Sequence, residues 1–138
     1  MSAIIGGINH FALSVGDLKE SIAFYTEILG LEICEQREND CFLKVGEKDV
    51  MALIQFPEGR FAYEGTLKPK RTGKSYTHFG FEAPSIEAVY RMERKLYDAG
   101  VKIVTKAYER WDGASLYFLD PNGYTIEYLY FAPEKASK

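Results

Sequence analysis

The chain has 138 residues, of which 46% are hydrophobic and 27% are charged, as is typical of a globular domain or of two small modules sharing a core. Its formal net charge of −3 argues against a dedicated nucleic-acid-binding surface. The opening residues, MSAIIGGIN, contain neither a basic segment nor an apolar run long enough for a signal peptide or a membrane span. We therefore expect a cytoplasmic protein that binds neither nucleic acid nor membrane.

The first half of the chain predicts a strand, a helix and three further strands. The strand INHFALSV precedes the helical segment GDLKESIAFYTEILG, in which Asp17 is the predicted N-cap and Glu20 completes a capping box. Gly30 is placed to end this helix. The segments LEICEQ, CFLKVG and DVMALIQF follow, and each has the composition of a strand.

The second half repeats this order. The strand YTHFGFEA leads to the helical segment PSIEAVYRMERKLYDAG, with Ser85 as N-cap and Gly100 at its end. Three strand-like segments follow, VKIVTK, SLYFLD and YTIEYLY, and DPNG forms a turn between the last two. The repeat predicts a single domain, 1–138, built from βαβββ modules at 4–56 and 76–132. Residues 57–75 are rich in Gly, Pro and Lys and form either a solvated linker or a substrate lid.

The chain has only two histidines, and they occupy equivalent positions in the first strand of each module. Side chains alternate between the two faces of a strand, so His10 shares a face with Ala12, and His78 shares one with Gly80. These small neighbours leave space in front of each imidazole ring that a packed core would usually fill.

Glu127 lies between apolar residues on the last strand, which has no lysine or arginine of its own. Burying such a carboxylate costs free energy unless a cation pairs with it. A divalent metal bound by His10, His78 and Glu127 would remove that cost and leave positions open for substrate. From the residues alone, hydrogen-bonded core histidines and a solvated Glu127 are equally consistent with the sequence.

The segments INHFALSVGDLKESIAFYTEILGLE and SLYFLDPNGYTIEYLY resemble the vicinal-oxygen-chelate superfamily, which includes glyoxalase I, bleomycin- and fosfomycin-resistance proteins and extradiol dioxygenases. The resemblance implies an α+β fold in which two βαβββ modules form an open, curled, eight-stranded mixed sheet around a metal. It also implies that the metal ligands are His10, His78 and Glu127.

Differences from each subfamily narrow the expected chemistry. Ala52 stands where glyoxalase I typically has a fourth metal ligand, and the region before SLYFLD lacks the additional histidine of extradiol dioxygenases. The chain looks most similar to the fosfomycin-resistance group and its thiol transferases. That group usually has a threonine at the position of Ala12. It also usually has an arginine beyond the carboxylate strand, whereas the only basic residues of this chain at 131–138 are lysines.

We therefore expect an enzyme that uses a divalent ion (Mn, Fe, Co, Ni or Zn) as a Lewis acid on a small oxygen-bearing substrate. The expected reaction is thiol or water addition to an electrophile, with a thiol as co-substrate in the first case, or isomerisation. Tyr117 is the candidate proton donor, although a packed core tyrosine would have the same sequence signature. The expected substrate contacts are Ala12, Tyr108, Trp111 and Ser115.

Two other functions remain open from the sequence. One is a metal-free module that binds and sequesters a drug, and the other is an iron-dependent extradiol-type dioxygenase. We expect a homodimer, in which His10 pairs either with the second module of its own chain or with that of its partner, because a long connection permits both topologies.

Overall fold

A computed structural model of the chain describes residues 4–55 and 77–132. The chain divides into two compact units, Met1–Lys70 and Arg71–Lys138. The predicted linker, 57–75, lies outside the described residues, so its role as a linker or a lid stays a prediction.

Within residues 4–55, the first unit has one helical segment and a four-stranded mixed sheet. The sheet order is β1-β4-β3-β2, with β1 parallel to β4 and the other neighbours antiparallel. Its elements are β1 (His10–Val15), α1 (Leu18–Ala23), a π-helical turn (Phe24–Ile28), β2 (Glu32–Gln36), β3 (Asp40–Val45) and β4 (Asp49–Gln55).

The first helix begins as the sequence predicts but changes its winding halfway. The Asp17 side chain accepts a hydrogen bond from the backbone N–H of Glu20, which satisfies one of the unpaired donors at the helix start. After Ala23 the chain widens into the π-helical turn, and the N–H of Leu29 donates to the carbonyl of Phe24. Gly30, at φ +79°, ends the segment.

The second unit repeats the topology with a longer helix. Its sheet order is β5-β8-β7-β6, and β5 runs parallel to β8. The elements are β5 (Phe79–Glu82), α2 (Ile86–Asp98), β6 (Ile103–Arg110), β7 (Gly113–Leu119) and β8 (Thr125–Phe131). The Ser85 hydroxyl accepts from the backbone N–H of Ala88, so the predicted N-cap of α2 is confirmed.

Alternation along β7 separates the core of the second unit from a polar face. Leu116 and Phe118 are fully buried, as are Val89 and Leu96 of α2, the helix that packs on this sheet. Ser115 and Tyr117 alternate with the two apolar residues and therefore lie on the opposite face of the sheet.

The predicted α+β class and the duplicated βαβββ order are confirmed, with one four-stranded mixed sheet in each unit. Neither helix in the described residues has the length and apolar character that crossing a membrane requires.

Candidate metal centre

The polar face of the second sheet brings together residues that are far apart in sequence. Gly80 of β5 lies opposite Glu127 of β8 in parallel register, and Tyr117 of β7 lies opposite Glu127 on its other side. His78 is two residues before Gly80 and so shares its face. Residues directly opposite in a sheet point to the same side, which places His78, Tyr117 and Glu127 on one face.

His78 and Glu127 are in direct contact. The imidazole Nε2 lies 3.1 Å from the carboxylate Oε1, close enough for a hydrogen bond in which the nitrogen donates. The His78 side chain is 35% exposed and that of Glu127 only 11%. The pair therefore joins a nearly buried carboxylate to an imidazole that solvent reaches.

The second carboxylate oxygen of Glu127 is held from the opposite side. The hydroxyl of Ser115, a fully buried residue, donates to Oε2 over 2.7 Å. Arg110 Nη1 donates to the same hydroxyl oxygen and lies 3.8 Å from Oε2. The two oxygens of Glu127 thus face different partners.

Arg110 provides a positive charge close to the buried carboxylate of Glu127, which the sequence did not predict. No basic residue lies on the strand of Glu127, but the guanidinium of Arg110 reaches the carboxylate from β6, two strands away in the sheet. The buried carboxylate therefore has a cationic neighbour without any metal, and its burial alone does not require one. Sequence reasoning missed Arg110 because its partners across the sheet are Gly113 and Phe131, and only its long side chain reaches Glu127.

Arg110 is itself well anchored. Its Nε donates to Asp112 Oδ1 over 2.8 Å, and its guanidinium carbon lies 5.1 Å from the centroid of the Phe131 ring. Burial lowers the pKa of Arg110, but the hydrogen bond to Asp112 and the negative charge of that carboxylate outweigh this effect, so the pKa is raised overall. Arg110 therefore stays charged.

Tyr117 lies beside the His78–Glu127 pair. Its ring centroid is 5.5 Å from that of His78, with the two ring planes at 70°. Burial, followed by the charge of Glu127, raises the pKa of Tyr117 to about 12. The phenol is therefore protonated at neutral pH and can donate a hydrogen bond, which suits the predicted role as proton donor.

The predicted substrate contacts in this unit differ in accessibility. Tyr108, opposite Ser115 in the register of β6 and β7, is 38% exposed, and Trp111 in the following turn is 68% exposed. Ser115 is fully buried and its hydroxyl donates to Glu127. All three stay predictions as substrate contacts.

In the first unit, His10 begins β1 and is exposed, as is Ala12 two residues later. His10 Nδ1 lies 2.8 Å from the side-chain oxygen of Asn9, which accepts a hydrogen bond in the tautomer that has its proton on Nδ1. This tautomer leaves the lone pair on Nε2, the nitrogen that could bind a metal. Ala12 lies opposite Ala52 in the same parallel register that joins Gly80 to Glu127.

The donor set of the second unit fits a divalent ion in part. Neighbouring ligands on an octahedral ion with bonds of about 2.1 Å lie about 3 Å apart, which matches the separation of His78 Nε2 and Glu127 Oε1. Within either unit, the residues that the structure describes gather no group of three His, Cys, Asp or Glu side chains suited to a metal. A third ligand from His10 is therefore a matter for proposal.

A surface groove of about 890 Å³ lies elsewhere in the second unit, between α2 and β6. It contains none of the predicted site residues, and its lining is mostly tyrosine, basic and apolar side chains, including Tyr90, Tyr97, Lys102, Val104 and Lys106. The groove therefore does not bear on the candidate centre.

Three curated relatives resemble the chain over most of its length. Glutathione transferase FosA of Serratia marcescens is 31% identical, with 90% of this chain and 80% of the relative covered. Metallothiol transferase FosB of Bacillus licheniformis is also 31% identical, covering 88% and 73%. Lactoylglutathione lyase of Haemophilus influenzae is 28% identical, covering 88% and 90%.

By their names, these relatives are enzymes, two of them transferases and one a lyase. The model of one family matches residues 7–128. Together with the duplicated βαβββ topology, this match shows that the chain belongs to the Glyoxalase/Bleomycin resistance protein/Dioxygenase superfamily.

Proposed function

We propose that the chain is a divalent-metal-dependent enzyme that adds a thiol to a small electrophilic substrate bearing adjacent oxygen atoms. The contact between His78 and Glu127 carries the proposal, because an imidazole nitrogen and a carboxylate oxygen already lie at the separation of two ligands on one ion. The names of FosA and FosB, a glutathione transferase and a metallothiol transferase, support a metal and a thiol co-substrate.

In this proposal His10, His78 and Glu127 hold the ion, which can be Mn, Fe, Co, Ni or Zn. When bound, it acts as a Lewis acid that stabilises negative charge on substrate oxygens. His10 would bind through Nε2 in the tautomer whose Nδ1–H donates to Asn9. Metal binding at His78 displaces the proton that Nε2 now donates to Glu127.

Tyr117 is the proposed proton donor. Its raised pKa, about 12, keeps the phenol protonated, and its position beside His78 puts that proton near the substrate site. Thiol attack on an epoxide would form a carbon–sulfur bond and break a carbon–oxygen bond. Tyr117 would give its proton to the oxygen so released, and the thiol proton would return to the phenolate. Trp111 and Tyr108, both exposed, are the proposed apolar walls of the site.

The first experiment is metal analysis of protein purified without chelator. We expect about one equivalent of divalent metal per chain, and loss of that metal in His10→Ala, His78→Ala and Glu127→Gln. Glu87→Gln is the matched control, because Glu87 lies on α2 and its side chain is 87% exposed. A wild type that contains no metal and cannot be loaded with any would overturn the proposal in favour of the metal-free drug-binding module.

The second experiment tests the reaction class. Metal-loaded protein should consume glutathione or another low-molecular-weight thiol in the presence of an epoxide, and Tyr117→Phe should slow that reaction. Oxygen uptake with catechols under reducing conditions would instead support the iron-dependent dioxygenase. Isomerisation, the other reaction expected from the sequence, is the remaining alternative, and the name of the lactoylglutathione lyase among the relatives indicates the substrate class with which to test it.

We also propose a homodimer, in which His10 completes the site either of its own chain or of its partner. Mixing His10→Ala and His78→Ala chains distinguishes the two pairings. If the ligands come from different chains, each mixed dimer contains one intact site and regains half of its metal. If all three ligands come from one chain, mixing restores none.

A further inference from the structure

We infer that Arg110 is a positioning residue of the proposed metal centre, and that it acts through Ser115 to present only one oxygen of Glu127 beside His78. The inference rests on the proposed function, since it concerns how the metal-binding carboxylate is oriented. Arg110 touches neither the proposed ion nor the substrate in this account.

A chain of hydrogen bonds, each with a defined donor and acceptor, connects Asp112 to Glu127. Asp112 accepts from Arg110 Nε, Arg110 Nη1 donates to the oxygen of Ser115, and the Ser115 hydroxyl donates to Glu127 Oε2. Because the Ser115 oxygen accepts from the guanidinium, its single proton is directed to the carboxylate. The serine hydroxyl therefore has one orientation available, and Glu127 is held by it.

The fold fixes the start of this chain of contacts. Arg110 is the last residue of β6, and Asp112 lies in the turn to β7. The carbonyl of Asp112 accepts from the backbone N–H of Ala132, just beyond β8, over 2.7 Å. At Gly113 the backbone approaches Tyr130 so closely that an added Cβ would lie 1.7 Å from its carbonyl oxygen. The turn is thus tied to the strand that carries Glu127.

The four residues of this chain of contacts are largely shielded from solvent, which strengthens the electrostatic contacts among them. Side-chain exposure is 22% for Arg110, 19% for Asp112 and 11% for Glu127, and Ser115 is fully buried. Electrostatic contacts are screened less at such sites than on an open surface. Among residues 4–55 and 77–132, Arg110 Nη2 is a buried nitrogen without a hydrogen-bond partner. The guanidinium group of Arg110 is therefore held by Nε, which contacts Asp112, and by Nη1, which contacts Ser115.

The consequence for metal binding follows from the two oxygens of Glu127. With Oε2 engaged by Ser115 and near Arg110, Oε1 alone lies beside His78 Nε2. Glu127 would then bind an ion through one oxygen and leave another position for substrate. Groups that orient a ligand in this way typically change metal affinity by about 10- to 100-fold when they are removed.

A plain ion pair would give Arg110 a different sensitivity to substitution. Lysine keeps the charge of Arg110 but cannot reach Asp112 and Ser115 with a planar fork. A role limited to neutralising charge is preserved in Arg110→Lys. A positioning role is lost in part in that variant, and it is also lost in Ser115→Ala, where the arginine and its charge remain.

The test is titration of Co²⁺ into metal-free protein, with the visible absorption bands of the bound ion as a second readout. We expect Arg110→Met and Ser115→Ala to bind Co²⁺ about tenfold more weakly than the wild type, because Glu127 is no longer held with one oxygen beside His78. The absorption bands should shift as well, because the orientation of Glu127 is no longer fixed. The Co²⁺ affinity of Arg110→Lys should lie between that of the wild type and that of Arg110→Met. The matched controls are Arg94→Met and Arg94→Lys, since Arg94 on α2 is 78% exposed and pairs with Asp98.

Wild-type affinity and wild-type bands in Ser115→Ala and Arg110→Lys would overturn the inference, even if Arg110→Met fails to fold. Wild-type protein that binds no Co²⁺, and resembles His78→Ala in this respect, would instead overturn the proposed metal centre and the inference with it. Binding that is lost in His78→Ala but unchanged in Ser115→Ala leaves the metal centre standing and removes only the role of Arg110.

Discussion

Gly80 and Glu127 lie directly opposite each other on the parallel strands β5 and β8. A Cβ at Gly80 would lie 3.8 Å from the Cβ of Glu127 and 3.0 Å from Cδ2 of Leu129. The absence of a side chain at Gly80 therefore keeps open the space beside the carboxylate, on the face that His78 shares.

A larger residue at Gly80 should weaken metal binding. Because valine adds two methyl groups next to Glu127, we expect Gly80→Val to lower Co²⁺ affinity about tenfold or more, with a smaller effect in Gly80→Ala, where the tip of Leu129 can move. Gly6→Val is the control, since nothing lies within 4 Å of a Cβ there. Unchanged affinity in a folded Gly80→Val protein would show that the space has no role in binding the ion.

Gly113→Ala should be strongly destabilising. An alanine Cβ would lie 1.7 Å from the carbonyl oxygen of Tyr130, and only a shift of the backbone can relieve this contact. We expect a loss of about 2–4 kcal/mol in the free energy of unfolding, measured with urea. Gly46→Ala should cost about 1 kcal/mol, because φ is +65° there but the space is open, and Gly6→Ala should be close to neutral. Equal costs at the three sites would contradict this account.

Tyr117 should make the protein less stable at alkaline pH. Its pKa is about 12 in the folded chain and near 10 in the unfolded chain, so between these values the unfolded state has already lost a proton that the folded state keeps. The free energy of unfolding therefore falls as pH rises from about 10 to about 12. Below pH 10 both states are protonated and this contribution is constant.

The comparison of wild type with Tyr117→Phe isolates that effect. We expect the stability advantage of the wild type over Tyr117→Phe to shrink across this pH range, as followed by urea unfolding at a series of pH values. Tyr97→Phe, at a position that is 72% exposed, is the matched control. Parallel pH profiles for the wild type and Tyr117→Phe would show that the environment of Tyr117 does not disfavour its ionised form.

Truncation of Leu96 should test the core of the second unit. Leu96 is fully buried on α2, whereas the next residue, Tyr97, is 72% exposed. We expect Leu96→Ala to lower the free energy of unfolding by about 2–5 kcal/mol through lost burial and a cavity, and Tyr97→Ala to change it much less. Similar losses in the two variants would mean that α2 packs differently from the arrangement described here.

Local signals in the sequence predicted most of the fold. Asp17 and Ser85 cap the helices that they were predicted to start, and the predicted order of one strand, one helix and three strands is found in both units. These features are predictable because capping and alternation depend on residues that are close together in the chain. The π-helical turn at Phe24–Ile28 was not predicted. Apolar spacing reports which face of a helix is buried, but it does not reveal one hydrogen bond that spans five residues instead of four.

The candidate site was predictable only in part, for a related reason. Alternation placed His78 and Gly80 on one face, and the register of β5 and β8 puts Glu127 on that face as well. Arg110 was missed because its partner across the sheet is Gly113, which pairs in turn with Phe131 and not with Glu127. The long side chain of Arg110 reaches Ser115 and Glu127 diagonally, and pairing of strands does not predict the direction that such a side chain takes.

The matching registers of the two units have a consequence for how the chain tolerates change. In the first unit the pair equivalent to Gly80 and Glu127 is Ala12 and Ala52, two methyl groups with no ionisable atom. Substitutions sampled evenly across both copies of the architecture should therefore abolish activity far more often in the second copy. In the first copy, apart from His10 and the predicted substrate contact Ala12, they should reduce mainly the yield of folded protein.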